Sequence, residues 1–192
     1  MAQLEIRSKT AHDVLIIEKY ILEKGDVEHL KPILDAVHSV SSTSIRIAIA
    51  RFNRLYARAN EEDRIIDAVV ALEALYLVGI KDELKFRMAV RVAAHMGGTD
   101  AAERERLFTL ASTAYNLRSD LVHGSLGEAE RSKDLRRSSW ETPSGLLEAL
   151  TDLLRNSLKS VLLDIGEQQF KQCFHKELDS SIVQARIASF SG

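Results

Sequence analysis

A chain of 192 residues is long enough for one domain with a real core, and only 2 prolines and 9 glycines favour long helices over a sandwich of short strands. A formal net charge of -2 excludes nucleic-acid binding by bulk charge, so any such role must come from a local cluster. The single cysteine, Cys173, excludes an intrachain disulfide and a cysteine-rich zinc site.

The opening MAQLEIRSKTAHD carries polar and acidic residues where a signal peptide needs an apolar run. No stretch approaches the roughly 20 apolar residues of a membrane span. The expectation is a cytoplasmic protein with no membrane partner. Residues 1–11 alternate weakly and read equally as a short strand or a frayed end. Residues 12–24 carry Val14, Leu15, Ile16, Ile17, Ile21 and Leu22 before Gly25, which predicts a short helix. Pro32 suits a helical first turn, which predicts a second short helix over 31–39.

Ser41-Ser42-Thr43-Ser44 is a cluster of N-cap candidates. Ile45, Ile49, Phe52 and Tyr56 then recur at helical spacing, with Arg46, Arg51, Arg54 and Arg58 on other positions as a basic outer side. Glu61, Glu62 and Asp63 place acids at the positive end of the next helix, whose stripe is Ile65, Val69, Leu72 and Tyr76. Glu73 lies at the edge of that stripe and needs a cationic partner or water. A third helix spans 81–96 and closes at Gly97-Gly98. Its Arg87, Arg91 and His95 share one ridge, which would meet either phosphates or acids.

Asp100 is the expected N-cap of the longest helix, 101–123, with Leu107, Leu110, Ala111, Ala114, Leu117 and Leu121 on one face. Arg118 falls within that apolar stripe, and His123 falls on the far side with Asn116 and Asp120. A cation on such a stripe needs Glu73, a partner subunit or a ligand. Arginine suits phosphate, and histidine exchanges protons near neutral pH. The same two residue types also serve as ordinary caps of a last turn, before Gly124 ends the helix. Residues 124–142 read as a long polar loop holding Arg131, Lys133, Arg136 and Arg137, with Trp140 either as a stacking platform beside them or packed on the core. Pro143 starts a long amphipathic helix that runs to Gly166, and a further helix follows from Glu167. Residues 182–190 alternate loosely, as a terminal strand or a frayed end.

The expected fold is an all-α helical bundle with one long loop and short strands, if any, at the termini. Residues 41–165 form its core, 1–40 an N-terminal extension and 166–192 a C-terminal tail. Gly-rich phosphate loops, zinc and calcium motifs and a serine-hydrolase elbow are all missing, and the six histidines show no metal-ligand spacing. No metal and no cofactor is expected.

Three segments together resemble one family. Ile66–Leu75 with Glu73, Phe86–Arg91 with Arg87, and Tyr115–Gly124 with Arg-Ser-Asp-Leu-Val-His are similar to the HEPN superfamily, in its Apea-like branch. The resemblance implies a helical bundle that dimerises so that the Arg-x4-His motifs of two copies face each other. It implies a metal-independent endoribonuclease, acting in phage defence or a toxin–antitoxin setting, with an antitoxin or other protein partner. Arg118 would hold the scissile phosphate and His123 would move protons. Asn116, Ser119, Asp120, Glu73 and Arg87 would support them, and Arg91, Arg131, Lys133, Arg136 and Arg137 would contact RNA. Ser119 stands where active members often have Asn, Asp or His. A non-catalytic RNA- or nucleotide-binding module and a dimeric scaffold are the other readings.

Overall fold

The computed structural model describes residues 3–5, 19–21, 24–124, 140 and 142–190, with side chains over 25–124, 140 and 142–182. Among the described residues the fold is all-α, apart from one two-stranded ribbon. Two compact units divide the chain, Met1–Val40 and Ser41–Gly192.

In the first unit, β1 (Gln3–Glu5) pairs antiparallel with β2 (Lys19–Ile21), Leu4 opposite Tyr20. The helix expected over 12–24 therefore gives way to a strand at 19–21. A short apolar run fits either element, and cross-strand pairing decides it. Helix α1 spans Lys24–Ser39, so Pro32 lies inside the helix and not in its first turn. Proline there has no N–H to give the carbonyl one turn back.

The second unit is a helical bundle. Helix α2 (Thr43–Ala57) has Ser42 as its N-cap. Helix α3 (Glu61–Tyr76) is capped by Asn60, whose side chain accepts from the Glu62 N–H. Helix α4 begins at Leu84, three residues later than its apolar pattern suggests, because Glu83 adopts a left-handed backbone with φ 54°. It ends at Met96. Helix α5 runs Ala101–His123, as the sequence predicts, and α6 runs Pro143–Lys159 from its Thr142 cap.

Helix α3 is the hub and touches α2, α4, α5 and α6. That role matches its sequence, which is apolar over most of its surface. Ile65, Ala68, Val69, Ala71, Leu72, Leu75 and Tyr76 are all buried. Each fully buried large side chain contributes about 2 kcal/mol. From α6, Leu146, Leu150, Leu154 and Leu158 close the core at helical spacing. Between α4 and α5 the corner is tight. A Cβ on Gly97 would lie 2.6 Å from Arg104 Cγ and 2.7 Å from the Ala93 carbonyl oxygen, so only glycine fits.

After α6 the chain takes a π-helical turn, Ser160–Ile165, then a four-residue helix α7 (Gly166–Gln169), a second π-helical turn (Phe170–Phe174) and α8 (His175–Phe190). Gly166, at φ 75° and ψ 155°, breaks the helical path, a conformation open to residues without a side chain. The break returns Phe170, Phe174 and Leu178 to the core. Residues 182–190 are thus the end of a helix and not a strand. Glu167 of α7 accepts from the backbone N–H and hydroxyl of Ser41, tying the tail to the start of α2.

Candidate functional site

Asp100 opens α5 by accepting from the N–H groups of Ala102 and Glu103. Gly124, at φ 62°, closes it, donating its N–H to the Asp120 carbonyl. No break falls between Arg118 and His123. At about 100° per residue the two side chains leave the helix roughly 140° apart, so one protomer does not bring them to one point.

Arg118 is partly buried, at 26% exposure, and its Nη2 lies 3.9 Å from Oε2 of Glu73 on α3. That is an ion pair without a hydrogen bond. Its Nε is buried and has no hydrogen-bond partner. Burial pushes the Glu73 carboxyl above its ordinary range, and the Arg118 charge offsets this only in part. His123 is exposed in the last turn. Ser119 and Asp120 are half-buried and Asn116 is exposed; their side chains form no hydrogen bond among the described residues.

The helix face between Arg118 and His123 carries Phe108, Tyr115, Ser119 and Val122. Of these Val122 is 50% exposed and the other three are half-buried. Phe86 of α4, 57% exposed, meets Phe108 edge-on with ring centroids 6.2 Å apart. An apolar strip thus lies open beside the motif. Leu121 is half-buried, because the end of α5 reaches past the core.

On the ridge of Arg87, Arg91 and His95, only the last two turn inward, Arg91 to an acid and His95 to hydroxyls. Arg87 pairs with Glu83 at 3.4 Å and makes no ion pair with Glu73. Arg91, expected to contact RNA, is 3% exposed. Its Nε and Nη2 donate to Asp179 at 2.8 and 2.7 Å, and its Nη1 donates to the Tyr76 carbonyl at 2.6 Å. A guanidinium so enclosed and so fully bonded has no face for a phosphate. Arg51 and Arg58, read as part of a solvated side, face the buried carboxylate of Asp67, while Arg46 and Arg54 are exposed. Arg131, Lys133, Arg136 and Arg137 lie outside the described residues.

A buried polar chain escaped the sequence reading. The Tyr76 hydroxyl donates to Ser157 Oγ at 2.8 Å. His95 Nδ1, 2.8 Å from that hydroxyl, must then be its donor, and Nε2 accepts from Ser160 Oγ at 3.1 Å. Burial pushes the His95 imidazole down to about 4, which keeps it neutral as this pattern requires. Phe174 packs edge-on against His95, and His175, edge-on to Phe174, donates to the Leu75 carbonyl at 2.7 Å. Helical spacing placed His95 on one ridge with Arg87 and Arg91, but its partners come from distant segments.

Among the described residues no group of His, Cys, Asp and Glu could hold a metal ion, and no helix is long and apolar enough to cross a membrane. No family model matches the chain, nor does any curated protein or any solved structure.

Proposed function

We propose that this chain is a HEPN-type, metal-independent endoribonuclease that works as a dimer. The observation that carries the reading is Arg118, a half-buried cation with a loose counter-ion and an unbonded Nε at the edge of an open apolar strip. A charge held this way is available to a phosphodiester. The strip separates Arg118 from His123 on one helix. When a second copy seats on it about a two-fold axis parallel to α5, the Arg118 flank of one copy faces the His123 flank of the other. Their offset along the axis is about 7.5 Å, within reach of an arginine and a histidine.

In such a groove Arg118 holds the scissile phosphate and stabilises charge as it develops on the phosphoryl oxygens. The His123 that faces it removes the proton of the ribose 2′-hydroxyl, whose oxygen attacks phosphorus, and the departing 5′ oxygen takes a proton from water. The products are a 2′,3′-cyclic phosphate and a free 5′-hydroxyl. Ser119, which binds neither Arg118 nor His123, favours a second reading, an RNA-binding module without turnover.

Incubation with single-stranded RNA and tRNA in EDTA tests the proposal. Cyclic-phosphate ends should form, and both His123→Ala and Arg118→Ala should abolish them. Cleavage that survives His123→Ala overturns the catalytic assignment. Salt-sensitive binding without cleavage supports the second reading.

A further inference from the structure

The only tryptophan lines a second site, away from the motif. A cleft of about 410 Å³ lies between the end of α4, the first half of α5 and the outer side of α6. That volume is in the range of small-molecule pockets. Met96, Leu107 and Leu153 give it an apolar floor, and Trp140 stands partly exposed at its side. Three carboxylates, Glu103, Glu148 and Asp152, line it against one guanidinium, Arg106. Two of the three are already engaged: Glu103 accepts from Arg106 Nε and Nη2 at 2.7 Å each, and Asp152 is paired with Arg155. Glu148 and Asn156 have no side-chain partner among the described residues.

These surroundings select a ligand chemistry. Carboxylates and the negative face of an indole repel phosphate, so Trp140 is a poor platform for an RNA backbone. They attract cations. An ammonium ion is strongly hydrated and resists an apolar floor. A guanidinium is flat and weakly hydrated, and can lie on the indole while its edge donates to a carboxylate. We infer that the cleft binds a guanidinium group, stacked on Trp140 and held by Glu148. The group belongs either to a small free guanidine or to an arginine side chain of a partner protein. From Glu103 to Arg118 is about 22 Å along α5, so this site stands or falls apart from the nuclease reading.

Trp140 fluorescence reports on the site directly, because the chain has no other tryptophan. Agmatine represents the free guanidine, and a short acetylated, amidated arginine peptide represents the partner. The citrulline form of that peptide is the neutral isostere. A saturable change is expected with at least one guanidinium ligand, and about tenfold weaker binding with citrulline. Glu148→Gln should weaken binding to a similar degree with an unchanged melting curve, since Glu148 is exposed. Saturation by agmatine assigns a free guanidine, and saturation by the peptide alone assigns a partner's arginine. A response that does not saturate with either ligand, equal affinity for citrulline, or full affinity in Glu148→Gln overturns the inference.

Discussion

Arg118 and Glu73 face each other across α5 and α3 at 3.9 Å, close enough to attract and too far to share a proton. The carboxyl sits above its ordinary range because burial outweighs that attraction. Replacing Arg118 with methionine removes that lowering influence. The Glu73 carboxyl should then titrate higher than in the native chain, as followed by the carboxyl carbon signal in NMR. An unchanged midpoint would show that the two charges do not interact. Because a raised carboxyl pKa makes the folded state bind more protons, stability falls as pH rises through the window above 4.5. That slope should extend to higher pH in Arg118→Met.

His95 gives the opposite sign. Its pKa is depressed from 6.5 to about 4, so the unfolded chain binds more protons between those values. Stability is full above pH 6.5 and is lost as pH falls toward 4, by on the order of 3 kcal/mol. In His95→Gln this part of the acid sensitivity should vanish from melting temperatures measured across that window. An identical pH profile in the variant would remove His95 as its source.

Asp179 should matter more than its half-exposed position suggests. It neutralises Arg91, which is 3% exposed. Asp179→Ala leaves a buried charge unpaired and should cost about 3 kcal/mol in urea unfolding. Arg91→Met combined with Asp179→Ala should recover part of that loss, since the stranded charge is gone. No recovery would mean that packing around α8, and not charge, sets the cost.

The apolar strip predicts self-association. Val122→Glu and Phe86→Glu place charges on side chains that are at least half exposed, so folding should be little affected. Sedimentation equilibrium should show the native chain as a dimer and each variant shifted to monomer. A native chain that stays monomeric at high concentration would defeat the seating of a second copy on this face.

The sequence made some of this legible for local reasons. Helix α5 could be bounded to the residue because Asp100 and Gly124 act within one turn of its ends. The buried stripe of α3 followed from its spacing alone. Arg118 stood out as a cation on an apolar face, and Glu73 as its acid. What stayed hidden depends on distant chain segments. Nothing within a turn of Arg91 announces Asp179, and nothing near His95 announces Ser157 or Ser160. The π-helical turn Ser160–Ile165 was hidden too, since it lies inside a segment whose apolar pattern reads as one helix up to Gly166. Pairing of Lys19–Ile21 with Gln3–Glu5 likewise lies beyond any local window.

The unbroken course of α5 between Arg118 and His123 has a kinetic meaning. In the proposed mechanism, two reactive groups mounted on opposite flanks of a rigid rod leave a solitary molecule idle. Under the dimeric mechanism, doubling a dilute protein raises turnover about fourfold, because every working centre must recruit two molecules. A cell carrying traces of such a protein would be spared, and a modest surge in synthesis would arm it.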